Sequence, residues 1–200
     1  MRLIFVRHGE TILNKKRIIQ GQSNAKLNKK GLMQAKLVGK RLRKEKIDFI
    51  FSSDLIRAKR TALEIARFHP NTPFNIDKLL RERGFGKYEG ISIDKLKEIR
   101  LKIGAKPHLH KPVGGEDYYD VRSRISKFLK KIYPKYKDKT VLIVSHGGTN
   151  RAMLSILLKK PLKEVFFIKQ DNTCVNIAEL SGSFKKLKVK MHKMNCVKHL

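Results

Sequence analysis

Two histidines stand directly after apolar runs that have the length of buried strands. The run Leu3-Ile4-Phe5-Val6 leads into Arg7-His8-Gly9-Glu10, and Val141-Leu142-Ile143-Val144 leads into Ser145-His146-Gly147-Gly148. Ligands of open α/β sheets bind at the carboxyl ends of the strands. The two imidazoles, with an arginine beside the first, are therefore predicted to face one pocket that suits an anion.

Two more residues of catalytic type occur between these histidines. Arg57 lies in Ser52-Ser53-Asp54-Leu55-Ile56-Arg57-Ala58, and Glu82 lies in Leu80-Arg81-Glu82. With the two histidine motifs at either end, this order resembles the histidine phosphatase superfamily, also called the phosphoglycerate mutase-like family. The similarity covers nearly the whole chain.

The resemblance implies a phosphohistidine mechanism. His8 would be the nucleophile, because a neutral imidazole nitrogen attacks near pH 7 without a strong base. Its other ring nitrogen must then donate, and a carbonyl in the Gly9 turn is the expected acceptor. Glu82 would protonate the leaving oxygen and then act as base toward water, which requires a proton held beside the dianionic substrate. The expected phosphate-binding residues are Arg7, Asn14, Arg57, His146 and Gly147.

Each residue also has a purely structural interpretation when it is taken alone. His8 could be a satisfied strand-end histidine, and Arg7 could form a structural ion pair. Glu82 lies between two arginines and could form a surface salt bridge, while Glu10 could cap or pair rather than react. Arg151 is expected to be structural. The joint order of the motifs favours catalysis for His8, Arg7 and Glu82.

No metal or cofactor is expected. A metal-dependent phosphatase needs carboxylates and histidines at ligand spacing, and the sequence has no such pattern. The resemblance also implies a metal-independent reaction. No Gly-x-x-x-x-Gly-Lys-Ser/Thr loop is present, which argues against a nucleotide-hydrolysing switch.

The segment after Glu82 favours a hydrolase over a mutase. Residues 83–90, with their Glu-Gly ending, and Gly114-Gly115-Glu116 resemble the phosphatase branch, whereas the mutases have a Leu-Gln-Gly ending. We therefore expect hydrolysis of a small phosphorylated metabolite, with a cofactor-dependent phosphoglycerate mutase as the alternative. Asn24 and Lys26 depart from the Asp and Pro of the phosphatase pattern. Segments 15–24, 83–115 and 173–174 are expected to select the substrate.

The charge of the chain is strongly positive, with 47 Lys and Arg against 17 Asp and Glu and a net charge of +30. The lysines are spread along the whole chain and accompany no nucleic-acid-binding motif, so no specific nucleic-acid partner is expected. The charge should attract anionic substrates instead. A nonenzymatic polyanion-binding protein on the same fold remains the alternative from a different class.

The length of 200 residues fits a single domain, 1–200, with a full hydrophobic core. Two cysteines are too few for a disulfide framework, and we find neither a signal peptide nor an apolar run long enough to span a bilayer. A cytoplasmic monomer or homodimer without membrane association is expected.

Alternating strands and helices predict a three-layer α/β/α sandwich with a mainly parallel central sheet and a C-terminal antiparallel hairpin at the edge. Asn28 is a predicted N-cap, and Ser53 or Asp54 is another. The predicted strands are 2–7, 47–52, 74–80, 140–145 and the hairpin from 173 to 191. The predicted helices are 29–46, 54–68, 92–101, 116–133 and 148–159.

Overall fold

The computed structural model describes residues 1–200, which form one six-stranded sheet with helices on both faces. The strands are β1 (Arg2–Arg7), β2 (Phe49–Ser52), β3 (Phe74–Ile76), β4 (Thr140–Ser145), β5 (Val175–Ser181) and β6 (Lys188–Cys196). The helices are α1 (Ile12–Lys15), α2 (Lys29–Leu42), α3 (Ile56–Ala66), α4 (Ile93–Lys102), α5 (Tyr118–Ile132), α6 (Gly147–Leu157) and α7 (Leu162–Val165).

The strand order is β3-β2-β4-β1-β5-β6. The pairs β3–β2, β2–β4 and β4–β1 are parallel, whereas β1–β5 and β5–β6 are antiparallel. The predicted mainly parallel sheet with an antiparallel terminal hairpin at its edge is confirmed. Because β1 and β4 are neighbours in register, Arg7 lies opposite Ser145, and both histidines follow at the same sheet edge.

Two hydrophobic clusters fill the space between the sheet and its helices. Leu3 and Phe5 of β1 belong to the cluster formed with α5 and α6, and Ile4 and Val6 belong to the cluster formed with α2 and α3. This alternation buries β1 on both faces, which explains its uninterrupted apolar sequence. Each such side chain contributes about 1.5–3 kcal/mol by leaving water.

The predicted start of α2 is correct, but the helix ends four residues earlier than predicted. The Asn28 side chain accepts a hydrogen bond from the Gly31 N–H at 2.7 Å, as an N-cap does. The helix ends at Leu42 rather than at residue 46, because Ile47 turns back into the core and is 6% exposed.

The predicted caps of α3 are wrong. Leu55 occupies the N-cap position of α3 without a side-chain cap, and the helix covers 56–66 rather than 54–68. The Asp54 carboxylate is instead used by Arg81, whose Nη2 lies 2.6 Å from it. The Ser53 hydroxyl accepts the Leu55 N–H, one residue too early to start the helix.

The segment 74–80 forms a shorter strand than predicted. After β3 the chain makes a 3₁₀ turn, Lys78–Leu80, in which the Asp77 carboxylate accepts the Leu79 N–H at 2.9 Å. This turn delivers Leu80 to the core and places Glu82 beyond it. Four-residue helices α1 and α7 were not expected, since one turn is too short to show an apolar period.

No helix of the chain is both long and apolar enough to cross a membrane.

Candidate active site

The ring of His8 is fixed in one tautomer. Its Nδ1 lies 2.7 Å from the Gly9 carbonyl oxygen, and since a carbonyl only accepts, Nδ1–H must donate. Nε2 is therefore the nitrogen with a free lone pair. Burial, together with the cations of Arg57 and Arg7, holds the His8 pKa well below its usual range. The ring is neutral at pH 7, as a nucleophile must be.

His146 lies beside His8 with its hydrogen-bonding groups unused. The ring centroids are 5.2 Å apart, the side chain is fully buried, and neither ring nitrogen has a partner. Burial and the nearby Arg57 also hold its pKa well below the usual range. An imidazole buried without partners is costly, so both ring nitrogens are available to bind a polar ligand.

Two guanidinium groups lie at the same site, and no carboxylate forms a salt bridge with either. Arg7 Nη1 donates to the Gln170 carbonyl at 2.7 Å, and Arg57 donates to two backbone carbonyls. The Nε of each has no partner. Burial lowers the pKa of Arg57 to about 10, so it remains a cation at neutral pH. The structural ion pair considered for Arg7 is not present.

The Glu82 carboxylate lies at the N-terminus of α6. Its oxygens accept the N–H groups of Gly148 at 3.1 Å and Thr149 at 3.2 Å, and also that of Arg83 at 2.9 Å. The surface salt bridge considered for Glu82 is wrong. Arg81 pairs with Asp54, and the Arg83 guanidinium binds backbone carbonyls, so neither neutralises this carboxylate.

Asn14 and Gly147 complete the set of sequence candidates. The Asn14 Oδ1 accepts the Thr11 N–H at 3.1 Å, and Asn14 is among the residues that line the cavity. Gly147 is the first residue of α6, where backbone N–H groups lack partners within the helix. A Cβ on Gly147 would lie 3.5 Å from Arg7 Nε, so this glycine adjoins the Arg7 guanidinium.

Glu10 has a structural role: it forms pairs with neighbouring side chains. Its carboxylate accepts from the Asn28 side chain at 2.8 Å and lies 3.3 Å from the Lys30 ammonium. The hydrogen bond from Asn28 and the Lys30 cation hold the Glu10 pKa below its usual range. Glu10 therefore ties the strand end to the start of α2.

A cavity of about 440 Å³ opens above these residues, larger than a phosphate alone requires. Arg7, His8, Asn14, Arg57 and Glu82 line its inner part. Its outer wall is mostly apolar, and the residues concerned are Ile18, Ile19, Phe85, Ile93, Leu96, Pro107, Phe166 and Phe167.

Three basic residues that line the cavity were missed from the sequence. Lys97, Arg100 and Arg151 all line the cavity. Arg151 was expected to be structural; it does bind the Ile168 carbonyl at 2.9 Å, but it also faces the cavity. Its position four residues after Gly147 could have signalled this, because residues i and i+4 share a helix face.

Two of the three predicted specificity segments reach the cavity. Segments 15–24 and 83–115 contribute lining residues, but 173–174 does not. Thr173 and Cys174 are fully buried behind the end of β1, where the Thr173 N–H bonds to the Arg7 carbonyl. Instead of 173–174, the loop after α7 lines the cavity, through Phe166 and Phe167.

No group of three His, Cys, Asp or Glu side chains is arranged to hold a metal ion. The charge needed to bind an anion comes from guanidinium groups.

Comparison with known proteins gives consistent relatives. The family model for the histidine phosphatase superfamily (branch 1) matches residues 3–192. The putative phosphoserine phosphatase 2 of Hydrogenobacter thermophilus is 32% identical over 185 residues, 90% of this chain and 90% of that protein. A metal-independent phosphoserine phosphatase of Arabidopsis thaliana is 38% identical over 76% of this chain and 66% of that protein. Other relatives are named phosphoglycerate mutase-like.

Solved structures share the whole fold. A mycobacterial glucosyl-3-phosphoglycerate phosphatase in complex with VO3 superposes with a TM-score of 0.85 at 27% identity. The match covers 98% of this chain and 99% of the other.

Proposed function

This chain belongs to the histidine phosphatase superfamily, and from that premise we propose that it hydrolyses small phosphomonoesters through a phosphate carried on His8. The observation that carries the proposal is the tautomer of His8. Its Nε2 is free beside a buried, partnerless imidazole and two guanidinium groups that form no salt bridge. That arrangement supplies a nucleophile and a cradle for one anion.

The first half of the reaction transfers the phosphoryl group to the enzyme. The substrate phosphate binds among Arg7, Arg57 and His146, whose donors offset the charge on its equatorial oxygens. His8 Nε2 attacks phosphorus as the bond to the leaving oxygen breaks. Glu82 gives its proton to that oxygen, so an alcohol departs, and the Gly9 carbonyl steadies the charged imidazole.

The second half returns the enzyme to its starting state. Glu82, now ionised, takes a proton from a water molecule that attacks the phosphohistidine. The N–P bond breaks, His8 becomes neutral again, and inorganic phosphate leaves. Three backbone N–H donors hold the Glu82 carboxylate in place through both halves of the reaction.

Hydrolysis is favoured over phosphoglycerate mutase activity by the open mouth of the cavity. Phe167 is 80% exposed and Ile93 is 38% exposed, so no segment of the chain covers them. A mutase must keep its phosphoenzyme from water, which requires such a cover. A 3-phosphoglycerate mutase assay run beside the hydrolase assay separates the two activities.

The outer wall supports a leaving group that carries a second anionic group. Arg100 Nε donates to His110 Nδ1 at 3.2 Å, but its Nη2 is buried without a partner. Burial lowers the Arg100 pKa to about 10, which leaves a cation with no carboxylate partner at the cavity. Phosphoserine, the substrate in the names of two relatives, has a carboxylate that such a cation would bind.

The test is a screen of phosphomonoesters, with acid-quenched protein examined for covalent phosphate. We expect phosphate release and an acid-labile, base-stable phosphoprotein in the native chain. His8→Ala should lose activity by several orders of magnitude and carry no label. Full activity in His8→Ala would refute the proposal, and inactivity of the native chain on every ester would favour the polyanion-binding alternative.

A further inference from the structure

The direction of the Arg57 guanidinium depends on one loop, residues 20–23. Arg57 Nη2 donates to the Gly21 carbonyl at 2.7 Å, and Nη1 donates to the Ser23 carbonyl at 2.6 Å. These bonds fix two corners of the guanidinium and leave Nε unpartnered. A shift in this loop would therefore turn Arg57 away from the phosphate.

The Glu89 carboxylate holds this loop in place. Its Oε1 accepts the Gln22 N–H at 2.9 Å. Gly21 lies against the same oxygen with a φ of +49°, and a Cβ on Gly21 would be 1.9 Å from it. Only glycine allows both this conformation and this close approach. The carboxylate and Gly21 are thus matched parts of one turn.

The same oxygen also binds the segment that follows the proposed proton donor. Glu89 Oε1 accepts the Phe85 N–H at 3.1 Å, three residues after Glu82. A second link comes from the Gln22 side chain, whose Nε2 donates to the Glu82 carbonyl at 3.2 Å. Glu89 therefore stands between the support of Arg57 and the segment of Glu82.

We propose that Glu89 is a positioning residue for phosphoryl transfer, which acts by holding the loop that aims Arg57 at the phosphate. The inference rests on the proposed function, because it takes Arg57 to bind the transferred group. Glu89 forms no salt bridge and does not line the cavity, so its contacts are those of a support. Its Oε1 is the hydrogen-bond acceptor for both the 20–23 loop and the Phe85 N–H.

The experiment measures the inhibition constant of vanadate and the rates on an alkyl phosphate and on p-nitrophenyl phosphate. Vanadate mimics five-coordinate phosphorus, so its binding reports the aim of Arg57. Glu89→Ala should weaken vanadate about tenfold, the scale of one lost bond to a charged acceptor. It should slow both substrates by the same factor, since Arg57 acts on the phosphoryl group. Glu89→Gln keeps an acceptor oxygen and should restore most of the native inhibition.

Double variants separate positioning from general damage. In an Arg57→Ala background, Glu89→Ala should change the vanadate constant by less than about twofold, because the group it positions is gone. Gly21→Ala should mimic Glu89→Ala, and its effect should shrink when combined with Glu89→Ala, which removes the clash. Glu98→Ala, an exposed carboxylate on α4, is the matched control and should leave inhibition unchanged.

The possible outcomes are distinct. If Arg57→Ala itself leaves vanadate binding unchanged, both the proposed role of Arg57 and this inference are wrong. If Arg57→Ala weakens vanadate but Glu89→Ala does not, only the positioning role of Glu89 is wrong. Full additivity of the two variants also overturns it, because Glu89 would then act on the fold at large. If thermal melts show that Glu89→Ala is unfolded, the same cycle is run with Gly21→Ala.

Discussion

Asp54 and Arg81 form a bidentate ion pair directly beside the proposed proton donor. Arg81 Nε lies 2.8 Å from Asp54 Oδ1, and Nη2 lies 2.6 Å from Oδ2. Asp54 follows β2 and Arg81 precedes Glu82, so the pair fastens the Glu82 segment to the end of the sheet. The hydrogen bond from Arg81 holds the pKa of Asp54 below its usual range.

Loss of this pair should lower stability in a pH-dependent way. Because the Asp54 pKa is lower in the folded state, its contribution is present above the unfolded value of about 3.9 and is lost as pH falls through the folded value. Asp54→Asn should reduce the free energy of unfolding by about 1 kcal/mol at pH 7. Urea titrations should show the difference from the native protein narrowing below about pH 4. Asp138→Asn, at an exposed carboxylate, should have little effect; an equal loss there would contradict a specific role for the pair.

Glu82→Gln should slow poor leaving groups far more than good ones. Protonation of the leaving oxygen matters most for alkyl phosphates, while p-nitrophenolate departs with little help. Arg57→Ala should slow both, because it acts on the phosphoryl group. Steady-state rates on paired substrates test this. Equal slowing by Glu82→Gln would remove the general-acid role, and the other two candidate carboxylates are already engaged, Glu10 by Asn28 and Glu116 by Arg124.

The two buried imidazoles should make the ligand-free protein less stable in mild acid. In the folded state the pKa values of His8 and His146 are far below normal. Below about pH 6.5 the unfolded chain therefore binds protons on these two rings, whereas the folded chain does not. Stability should then fall by up to about 1.4 kcal/mol per pH unit for each ring. His146→Asn should flatten the dependence between pH 7 and 5, and a double variant with His8→Asn should flatten it further. An unchanged slope in urea titrations would contradict the prediction.

Activity should not need a metal ion. The anion cradle consists of guanidinium and imidazole groups, and no cluster of three potential metal ligands is present. Excess chelator should leave the rate nearly unchanged, and vanadate should inhibit. A rate that vanishes with chelator and returns with Mg²⁺ or Zn²⁺ would contradict the proposed chemistry.

Arg100→Met should change which esters are preferred. Met keeps much of the apolar contact but removes the cation, so kcat/KM for phosphoserine should fall about tenfold or more. Phenyl phosphate, which has no second anion, should be affected little. Lys102→Met, at an exposed residue at the end of the same helix, is the control. If both esters slow equally in Arg100→Met, Arg100 does not select a second anion.

The inner part of the site could be predicted from sequence because it follows from sheet geometry. His8 and His146 each end a buried run, and neighbouring parallel strands bring such ends together. The outer wall could not be predicted in this way. Arg100 reaches the cavity through the packing of α4, and Glu89 reaches the 20–23 loop across a turn. Neither contact can be predicted from the hydrophobic periodicity of a helix or from the position of a residue at the end of a strand.

A contact between residues distant in sequence also explains why the N-cap of α3 was wrongly predicted. Asp54 has the side chain of a good N-cap, and local preference assigns it that role. The charged partner Arg81, distant in sequence, takes the carboxylate instead. Local signals fail here because a long-range ion pair competes for the same oxygens.

The position of β1 has a consequence for how the protein is made. β1 leaves the ribosome before β2 and β3, yet both of its neighbours in the sheet, β4 and β5, come after those strands in the sequence. Its apolar residues remain without strand partners while the segment between β1 and β4 is synthesised, a state prone to aggregation and suited to chaperone binding. Such non-local pairing also makes folding slow. The two imidazoles therefore cannot meet until β4 has been made, and a growing chain cannot act on phosphate esters before that point.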